Sequence, residues 1–386
     1  EAQLRASPVW PSTPPSTPQA SARKNSAAPP VTSTSDVLQA AATRAKELNR
    51  KTPSPGSSGG QDDPDTARSL RMAYWQVVML LVLGDDSPEA AQEYEEAWTT
   101  CIERLDSPSV FLFWFAQYLP TSLNRRYAST SARLRQRVRA AVDAAWDTPA
   151  AGVSGASPTG PERRPFTFLA IVADEAPSQR LSREDATEVL LELLFTGASS
   201  VTTTMSWLLW HLATDTHVQE RLRHEIDGAV ASRGDRPSAA DLSKLPFLDA
   251  VLRETLRLYS PIHIGRHCLR DTTHEGISIP AGTDIAANMW FIHRNPDIWP
   301  DPHTFRPERF LGQPTNVAGF HPFSMGMRGC PGKAVAFTMC KLLVGRLVAS
   351  YEIFPDAQRQ RTPPEFSGSV VLSNTPVEMF LLGRSR

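Results

Sequence analysis

The sequence predicts a mainly α-helical protein with a small β part, an α+β fold. Apolar residues recur at helical spacing through most of the stretch from residue 66 to residue 258. After Pro261 the pattern alternates and carries turn signals, which is typical of short strands. The sequence shows no internal repeat, so a repeat architecture is not predicted.

Composition excludes several classes of protein. Hydrophobic residues make up 41% of the chain, enough for a sizeable core. Lys and Arg number 40 against 41 Asp and Glu, so charge does not indicate a nucleic-acid partner. The 4 cysteines lack CxxC spacing and fit a reducing compartment. No stretch approaches the roughly 18 apolar residues of a membrane-spanning helix, and no signal peptide is visible, so the chain as given is expected to be soluble.

The chain begins with a segment unlike the rest. Residues 1–34 are rich in Pro, Ser, Thr and Ala and are expected to be disordered. The remainder, 35–386, is predicted to be one domain with flexible linkers at 52–65 and 148–165. Ser35 is a candidate N-cap for the first helix. Further helices are predicted at 66–84, 87–106, 108–119, 123–146, 166–173, 182–213, 215–232, 238–244, 246–258 and 332–349. Strands are expected within 265–290, and a closing hairpin within 367–383.

The stretch "FHPFSMGMRGCPGKA" (320–334) holds Cys330 in an unusual setting. A helix predicted to begin near Gly332 turns its positive end toward this thiol and favours the thiolate. Glycines let a backbone approach a flat ligand closely, and Arg328 could pair with a carboxylate of that ligand. The alternative is a buried cysteine at an ordinary loop-to-helix junction. By average composition, a chance match to five such positions is on the order of one in ten thousand. Those positions are Phe323, Gly326, Arg328, Cys330 and Gly332.

This stretch resembles the heme-binding loop of the cytochrome P450 family. The resemblance implies heme b (iron protoporphyrin IX) as cofactor, with the Cys330 thiolate as proximal iron ligand. It also implies that Arg328, Phe323, Gly326 and Gly332 contact the cofactor. Arg266, in "RHCLRD", matches the strand arginine that reaches a heme propionate in that family.

Two further segments resemble the same family in the expected order. "FLDAVLRETLRLYSP" is similar to its K-helix, with Glu254 and Arg257 one helical turn apart. "FRPERF" is similar to the segment whose arginine, here Arg309, completes a buried ion network. The resemblance implies a structural role for these three residues, because a buried charge without a partner is costly. The alternative is an ordinary surface ion pair on an amphipathic helix.

The long helix predicted at 182–213 resembles the family's I-helix, which crosses the distal heme face. Gly197 occupies the position of the small residue that lets oxygen approach this helix in the family. The resemblance thus implies three catalytic positions, Gly197, Ser199 and Ser200. Ser199 replaces the usual acid and Ser200 the usual threonine. A serine hydroxyl can hold a water but cannot relay protons as a carboxylate does at neutral pH. The alternative is a Ser/Thr-rich turn whose hydroxyls bond to carbonyls one turn back.

The resemblance departs from the family at the start of the chain. The family places a sheet and helices A to C before the point that Ser35 occupies, so the implied cytochrome P450-like fold is N-terminally incomplete. Trp10 has no helical partner, and the C-helix support of a propionate is expected to be missing. The aromatic region 110–119 resembles the family's F-to-G access region. It is expected to contact a membrane, to line a substrate channel, or to pack in the core.

The resemblance implies a heme-thiolate monooxygenase that inserts one atom of O2 into an apolar small molecule. A separate reductase or ferredoxin would donate the electrons, because the chain contains no flavin or nicotinamide motif. One alternative is a heme-thiolate isomerase or dehydratase of a peroxide substrate, which needs no acid at Ser199. The other is a non-catalytic truncated family member. Association with the endoplasmic reticulum or mitochondrial membrane would require a segment upstream of Glu1.

Overall fold

A computed structural model describes most of the chain between residue 65 and residue 383. The described ranges are 65–107, 113–147, 167–230, 237–261, 264–314, 316–355, 366–367, 373–374 and 379–383. Four predictions lie wholly or almost wholly outside them: the disordered segment 1–34, which includes Trp10, the helix after Ser35, and the linkers at 52–65 and 148–165. Asp65 is the one residue of these that is described, and it begins the first of the described helices.

Ten α-helices occur in the described residues, and most match the predicted ones to within two residues. They are α1 Asp65–Leu83, α2 Pro88–Leu105, α3 Ser122–Asp147, α4 Phe168–Gln179, α5 Arg183–Thr214, α6 Thr216–Val230, α7 Ala239–Ser243, α8 Pro246–Leu258, α9 Met289–Ile292 and α10 Lys333–Ser350. Caps explain several starts. Ser87 accepts from Ala90 N at α2, and Ser238 forms a capping box with Asp241 at α7.

The helix predicted at 108–119 was wrong in its extent. Only Trp114–Tyr118 form a helical turn, of the 3-10 type, and residues 108–112 lie outside the described ranges. Leu119 has φ −71° and ψ 140°, an extended conformation. The ring of Pro120 disfavours the helical conformation at the residue before it, so the turn ends there.

Eight short strands form four antiparallel pairs. The strands are β1 Ile264–His267, β2 Thr272–His274, β3 Ile277–Ile279, β4 Asp284–Ala287, β5 Tyr351–Pro355, β6 Phe366–Ser367, β7 Ser373–Asn374 and β8 Met379–Gly383. β1 pairs with β4, β2 with β3, β5 with β8 and β6 with β7. The predicted tail hairpin is therefore split, because β8 finds its partner in β5. The mainly α fold class with a small β part is confirmed.

The described residues divide into two compact units. Most of the first lies between residues 69 and 198, where α2 and α3 pack together around buried residues such as Tyr94, Leu134 and Val138. Arg137 of α3 joins Glu93 of α2 at 2.7 Å and Asp85 at 2.8 Å.

The second unit contains residues 199–355, the terminal strands and the first four residues of α1. In it α10 packs on α6, α7 and α8. Buried Gln219 of α6 links two further elements: its side-chain NH2 donates to the carbonyls of Leu212 and Ile353, and its Oε1 accepts from Ile353 N. Among the described helices, none is long and apolar enough to cross a bilayer.

Candidate functional site

The loop that carries Cys330 is held by its own backbone. Cys330 N donates to the Phe323 carbonyl at 2.9 Å, and Gly329 N donates to the Gly326 carbonyl at 3.0 Å. Gly326 has φ +68°, in the left-handed region that favours glycine, and it begins a 3-10 turn ending at Arg328. These bonds fix the position of Cys330 at the entrance to α10.

The thiol of Cys330 is exposed, which excludes the alternative of a buried cysteine at this junction. Its Sγ lies 3.8 Å from the point that a Cβ at Gly332 would occupy. Gly332 is the N-cap residue of α10 and supplies no side-chain cap, so first-turn N–H groups and the positive end of an 18-residue helix lie next to this cysteine.

The other cysteines lack this environment. Cys101 and Cys340 are buried, and burial raises the pKa of the Cys101 thiol to about 11 and the pKa of the Cys340 thiol to about 12. Cys268 is half-buried and its Sγ lies 3.0 Å from the Arg270 carbonyl. Cys330 is therefore the thiol best placed to act as an anionic ligand.

Two arginines lie at the same loop. Arg266 of β1 is exposed, and its Nη2 lies 3.5 Å from Oγ of Ser324, a loop residue with φ 61°. Its Nη1 donates to the Gly265 carbonyl at 2.7 Å. Arg328 is exposed at the end of the 3-10 turn. Within the described ranges neither guanidinium pairs with a carboxylate, so both charges are available to an anionic ligand.

An aromatic pair supports the loop from the helix side. The ring of Phe323 packs against that of Phe337 in α10, with centroids 5.4 Å apart. Phe323 is half-buried, so part of its ring surface faces outward beside the cysteine loop. The five motif residues thus belong to one loop, which packs through Phe323 against the ring of Phe337 on α10.

These residues fit a heme. A thiolate-ligated heme needs an accessible thiol, backbone without side chains where a flat macrocycle approaches, and cations for two propionates. Cys330, the glycines at 326, 329 and 332, and the two arginines meet these needs. In the described part of the chain no three His, Cys, Asp or Glu side chains form a metal-binding group.

Glu254, Arg257 and Arg309 meet in one buried network. Arg257 binds Glu254 through two hydrogen bonds of 2.8 Å, and Arg309 Nε lies 3.0 Å from the same carboxylate. The side chains of Glu254 and Arg257 are 0% exposed, which excludes the surface-pair alternative. A pair this deeply buried stabilises only when its remaining hydrogen-bonding groups are satisfied, and Arg257 Nη1 also donates to the carbonyls of His293 and Pro302.

Sequence reasoning missed two residues of this network, His293 and Arg294. Both follow α9 and both bond to the end of α8. The Nδ1 of His293 lies 3.1 Å from the Arg257 carbonyl, and Arg294 Nη2 donates to the Leu258 carbonyl at 2.6 Å. Burial lowers the pKa of Arg294 to about 10. The signal in the sequence was a His-Arg pair directly after the apolar run "MWFI".

Helix α5 carries the three residues predicted on the distal side. The Gly197 carbonyl accepts from the Tyr74 hydroxyl at 3.0 Å, and a Cβ at Gly197 would meet no atom within 4 Å. Packing of the described chain therefore does not require glycine there. Ser199 lies in the helix, but its side chain is outside the described structure. Ser200 is half-buried and its carbonyl accepts from the Thr204 hydroxyl at 2.7 Å.

The aromatic segment from residue 113 to residue 119 faces outward. Phe113, Phe115, Tyr118 and Leu119 are all exposed, with Tyr118 at 74%. Core packing, one of the expected alternatives for the region 110–119, is therefore wrong for these four side chains. Buried Arg104 donates to the Gln117 carbonyl, and half-buried Asn124 donates to the carbonyls of Ala116 and Leu119, so the backbone of this segment is held in place.

Comparison with known proteins gives a consistent result. The family model for Cytochrome P450 matches residues 38–381. Cytochrome P450 78A5 of Arabidopsis thaliana is 34% identical over 193 residues, 48% of this chain and 37% of that protein. Psoralen synthase of Ammi majus is 33% identical over 213 residues, 53% of this chain and 42% of that protein.

A maize relative extends the match without completing it. Cytochrome P450 78A1 of Zea mays is 32% identical over 252 residues, which cover 62% of this chain and 45% of that protein. The chain thus spans less than half the length of these curated relatives. Because the family model covers most of the chain, and the matched range includes Cys330 and the buried ion network, the chain belongs to the cytochrome P450 family.

Proposed function

We propose that the protein is a heme-thiolate monooxygenase in which Cys330 is the proximal iron ligand. The observation that carries this proposal is the state of that cysteine: it is exposed, tethered through its own N–H to Phe323, and placed at the start of α10. Family membership supports the same chemistry. A thiolate-ligated heme supplies the activation of O2 by which one oxygen atom enters an organic substrate.

The chain's own residues have separate tasks in this proposal. The N-terminus of α10 lies beside Cys330, and its positive end would stabilise the negative charge of an iron-bound thiolate. Arg266 and Arg328 bind the two propionates by charge-assisted hydrogen bonds, and Gly326 and Gly332 keep the backbone close to the macrocycle. Phe323, whose ring packs on Phe337 of α10, would contact the macrocycle with the exposed part of its ring.

The distal residues belong to α5. In this proposal Gly197 would leave space for O2 beside the cofactor, and the hydroxyls of Ser199 and Ser200 would hold a water there. Because a serine hydroxyl does not ionise near neutral pH, it can relay a proton only between other groups. Proton delivery is therefore expected to be slower than with a carboxylate at Ser199. Ser199→Asp should accelerate oxygen-dependent turnover if Ser199 limits it.

An apolar substrate and a separate electron donor complete the proposal. Electrons would come from a reductase or a ferredoxin. Product formation should therefore require O2 and the donor together. Conversion of an organic peroxide with neither present would instead identify a heme-thiolate isomerase or dehydratase.

The decisive experiment is the absorption spectrum of the reduced, CO-bound protein after addition of hemin to the chain. A thiolate-type Soret band is expected in the wild type and in Cys268→Ser, and it should be lost in Cys330→Ser. Cys268→Ser is the matched control because Cys268 is half-buried, unlike the fully buried Cys340, and lies in the same unit as Cys330. Failure to take up hemin, or a thiolate-type band that persists in Cys330→Ser, would overturn the proposal.

A further inference from the structure

His293 links the buried ion network to the cysteine loop. It follows α9 directly and its side chain is 0% exposed. On one side Nδ1 lies 3.1 Å from the Arg257 carbonyl, and on the other Nε2 lies 3.0 Å from His321 N. His321 is two residues before Phe323, whose carbonyl holds Cys330 N. One imidazole thus lies between the last turn of α8 and the base of the loop.

The two partners determine where the imidazole carries its proton. A carbonyl oxygen only accepts, so Nδ1 must donate its hydrogen to Arg257. A backbone N–H only donates, so Nε2 must offer its lone pair to His321. Both bonds are satisfied together in a single form, the neutral Nδ1–H tautomer. An imidazolium would point a second N–H at the N–H of His321 and lose that bond.

The bond to α8 is reciprocal and satisfies a helix end. The last carbonyls of a helix have no partner within it, and His293 serves the Arg257 carbonyl there. In return, Arg257 Nη1 donates to the His293 carbonyl at 2.8 Å. Because Arg257 is itself bound to Glu254, the position of His293 is determined by the ion network.

We propose that His293, as a neutral imidazole, is a positioning residue that holds the Cys330 loop against the buried ion network. It touches neither the thiol nor a ligand and acts through His321. That the loop is held in this position in order to present Cys330 to iron rests on the function proposed above.

The surroundings keep this histidine neutral. Arg257 and His321 face it from α8 and from the loop, and Arg294 is its neighbour in sequence. The Glu254 carboxylate is engaged by Arg257 and Arg309. Burial is the largest cause and lowers the pKa of His293 to about 4; the bond to the Arg257 carbonyl comes next and opposes it, and the nearby charges of Arg257, His321 and Arg294 lower it further. The link is therefore expected to persist through the physiological pH range.

Amide hydrogen exchange at His321 tests the link directly in the full chain before hemin is added. This N–H should be protected in the wild type, and its exchange should accelerate at least about tenfold in His293→Leu, which has no acceptor. His293→Gln supplies a donor and an acceptor in a group that stays neutral, so it should restore most of the protection. His211→Phe is the matched control, because His211 is also buried in the same unit and does not contact the loop.

Amides of α10 around Val344 report whether each variant is folded. The proposal is wrong if the α10 amides stay protected in His293→Leu and the His321 amide is as protected there as in the wild type. It is also contradicted if His211→Phe accelerates exchange at His321 as much as His293→Leu does. Should His293→Leu fail to fold, His293→Gln decides. Below about pH 4 the wild type should lose His321 protection and the Gln variant should keep it, whereas an identical acid loss in both would overturn the link.

Hemin then separates this inference from the proposed function. If the positioning role is correct, His293→Leu should lower the ratio of thiolate-type to other Soret absorbance several-fold, and His293→Gln should rescue it. A wild type without any thiolate-type band would contradict the proposed function, while the exchange result for His321 would still decide whether His293 holds the loop.

Discussion

Arg309 Nε lies 3.0 Å from Oε1 of Glu254, the same oxygen that accepts from Arg257 Nη2 at 2.8 Å. A third donor, Arg306 N, reaches this atom at 2.9 Å. One buried carboxylate oxygen thus joins the last turns of α8 to the segment that leads into "PERF". Within this network Glu254 is the negative charge that both arginines share.

Glu254→Gln is expected to lower the free energy of unfolding by about 3–5 kcal/mol, because it leaves the buried Arg257 without its counter-charge. Urea unfolding followed by circular dichroism measures this change. Glu103→Gln is the control, since Glu103 pairs with Arg126 on the surface, where loss of an ion pair costs at most about 1 kcal/mol. Equal effects of the two substitutions would show that the buried network contributes no more than a surface pair.

Much of the helical architecture could be predicted, because long amphipathic segments with clear caps dominate it. The boundaries of α8 were predicted as observed, since Pro246 starts the helix and the apolar stripe ends near Leu258. The helix predicted at 108–119 is wrong in its described part, because the aromatic residues fit a helical pattern while Pro120 disfavours a helical conformation at Leu119. The split of the tail strands was also unpredictable, because β8 pairs with a strand that lies outside the predicted hairpin.

Some residues of the candidate site could likewise be predicted from the sequence, and others could not. Motif spacing indicated Cys330, Arg328 and Glu254 because short loops and single helical turns determine their neighbours. His293 was missed because its partners, Arg257 and His321, are 36 and 28 residues away in sequence. Only the folded chain brings these three together.

Two helical glycines should respond in opposite ways to alanine. A Cβ at Gly345 in α10 would overlap Leu242 Cδ2 and lie 2.8 Å from Leu242 Cδ1, so Gly345→Ala should lower the free energy of unfolding by about 1–3 kcal/mol through overpacking. A Cβ at Gly228 in α6 would meet nothing within 4 Å, so Gly228→Ala should raise it by about 0.5–1 kcal/mol. Urea denaturation of both variants checks the pair. A stabilised Gly345→Ala would mean that α7 yields easily to α10.

Buried His211 should make stability depend on pH. Its ring stacks on Phe305 at 3.8 Å, and burial lowers the pKa of His211 from 6.5 to about 3. Above pH 6.5 both the folded and the unfolded states are neutral there, and the contribution of this group is complete. As the pH falls below that value the unfolded state takes up the proton first, so the free energy of unfolding decreases by up to about 1.4 kcal/mol per pH unit.

Replacing this histidine removes that dependence. Between about pH 7.5 and about pH 5 the wild type should lose roughly 2 kcal/mol more than His211→Phe, which keeps an aromatic ring against Phe305. Urea unfolding of both proteins at the two pH values gives the difference. Parallel losses in the two proteins would mean that His211 is protonated in the folded state or accessible to water.

Arg266 should matter for retention of the cofactor without mattering for stability. Its guanidinium is exposed and pairs with no carboxylate in the described ranges, so the chain itself gains little from its charge. A propionate would gain a charge-assisted hydrogen bond, and loss of such a bond to a partly exposed group weakens binding by about tenfold or more. Arg266→Gln should therefore release hemin about tenfold faster to a competing heme-binding protein, with the free energy of unfolding of the hemin-free chain changed by less than about 0.5 kcal/mol. Arg270→Gln is the matched control, because Arg270 is also exposed and lies just beyond β1. If both variants release hemin at the wild-type rate, Arg266 does not bind a propionate, and its contact with Ser324 is all that brings it to the cysteine loop.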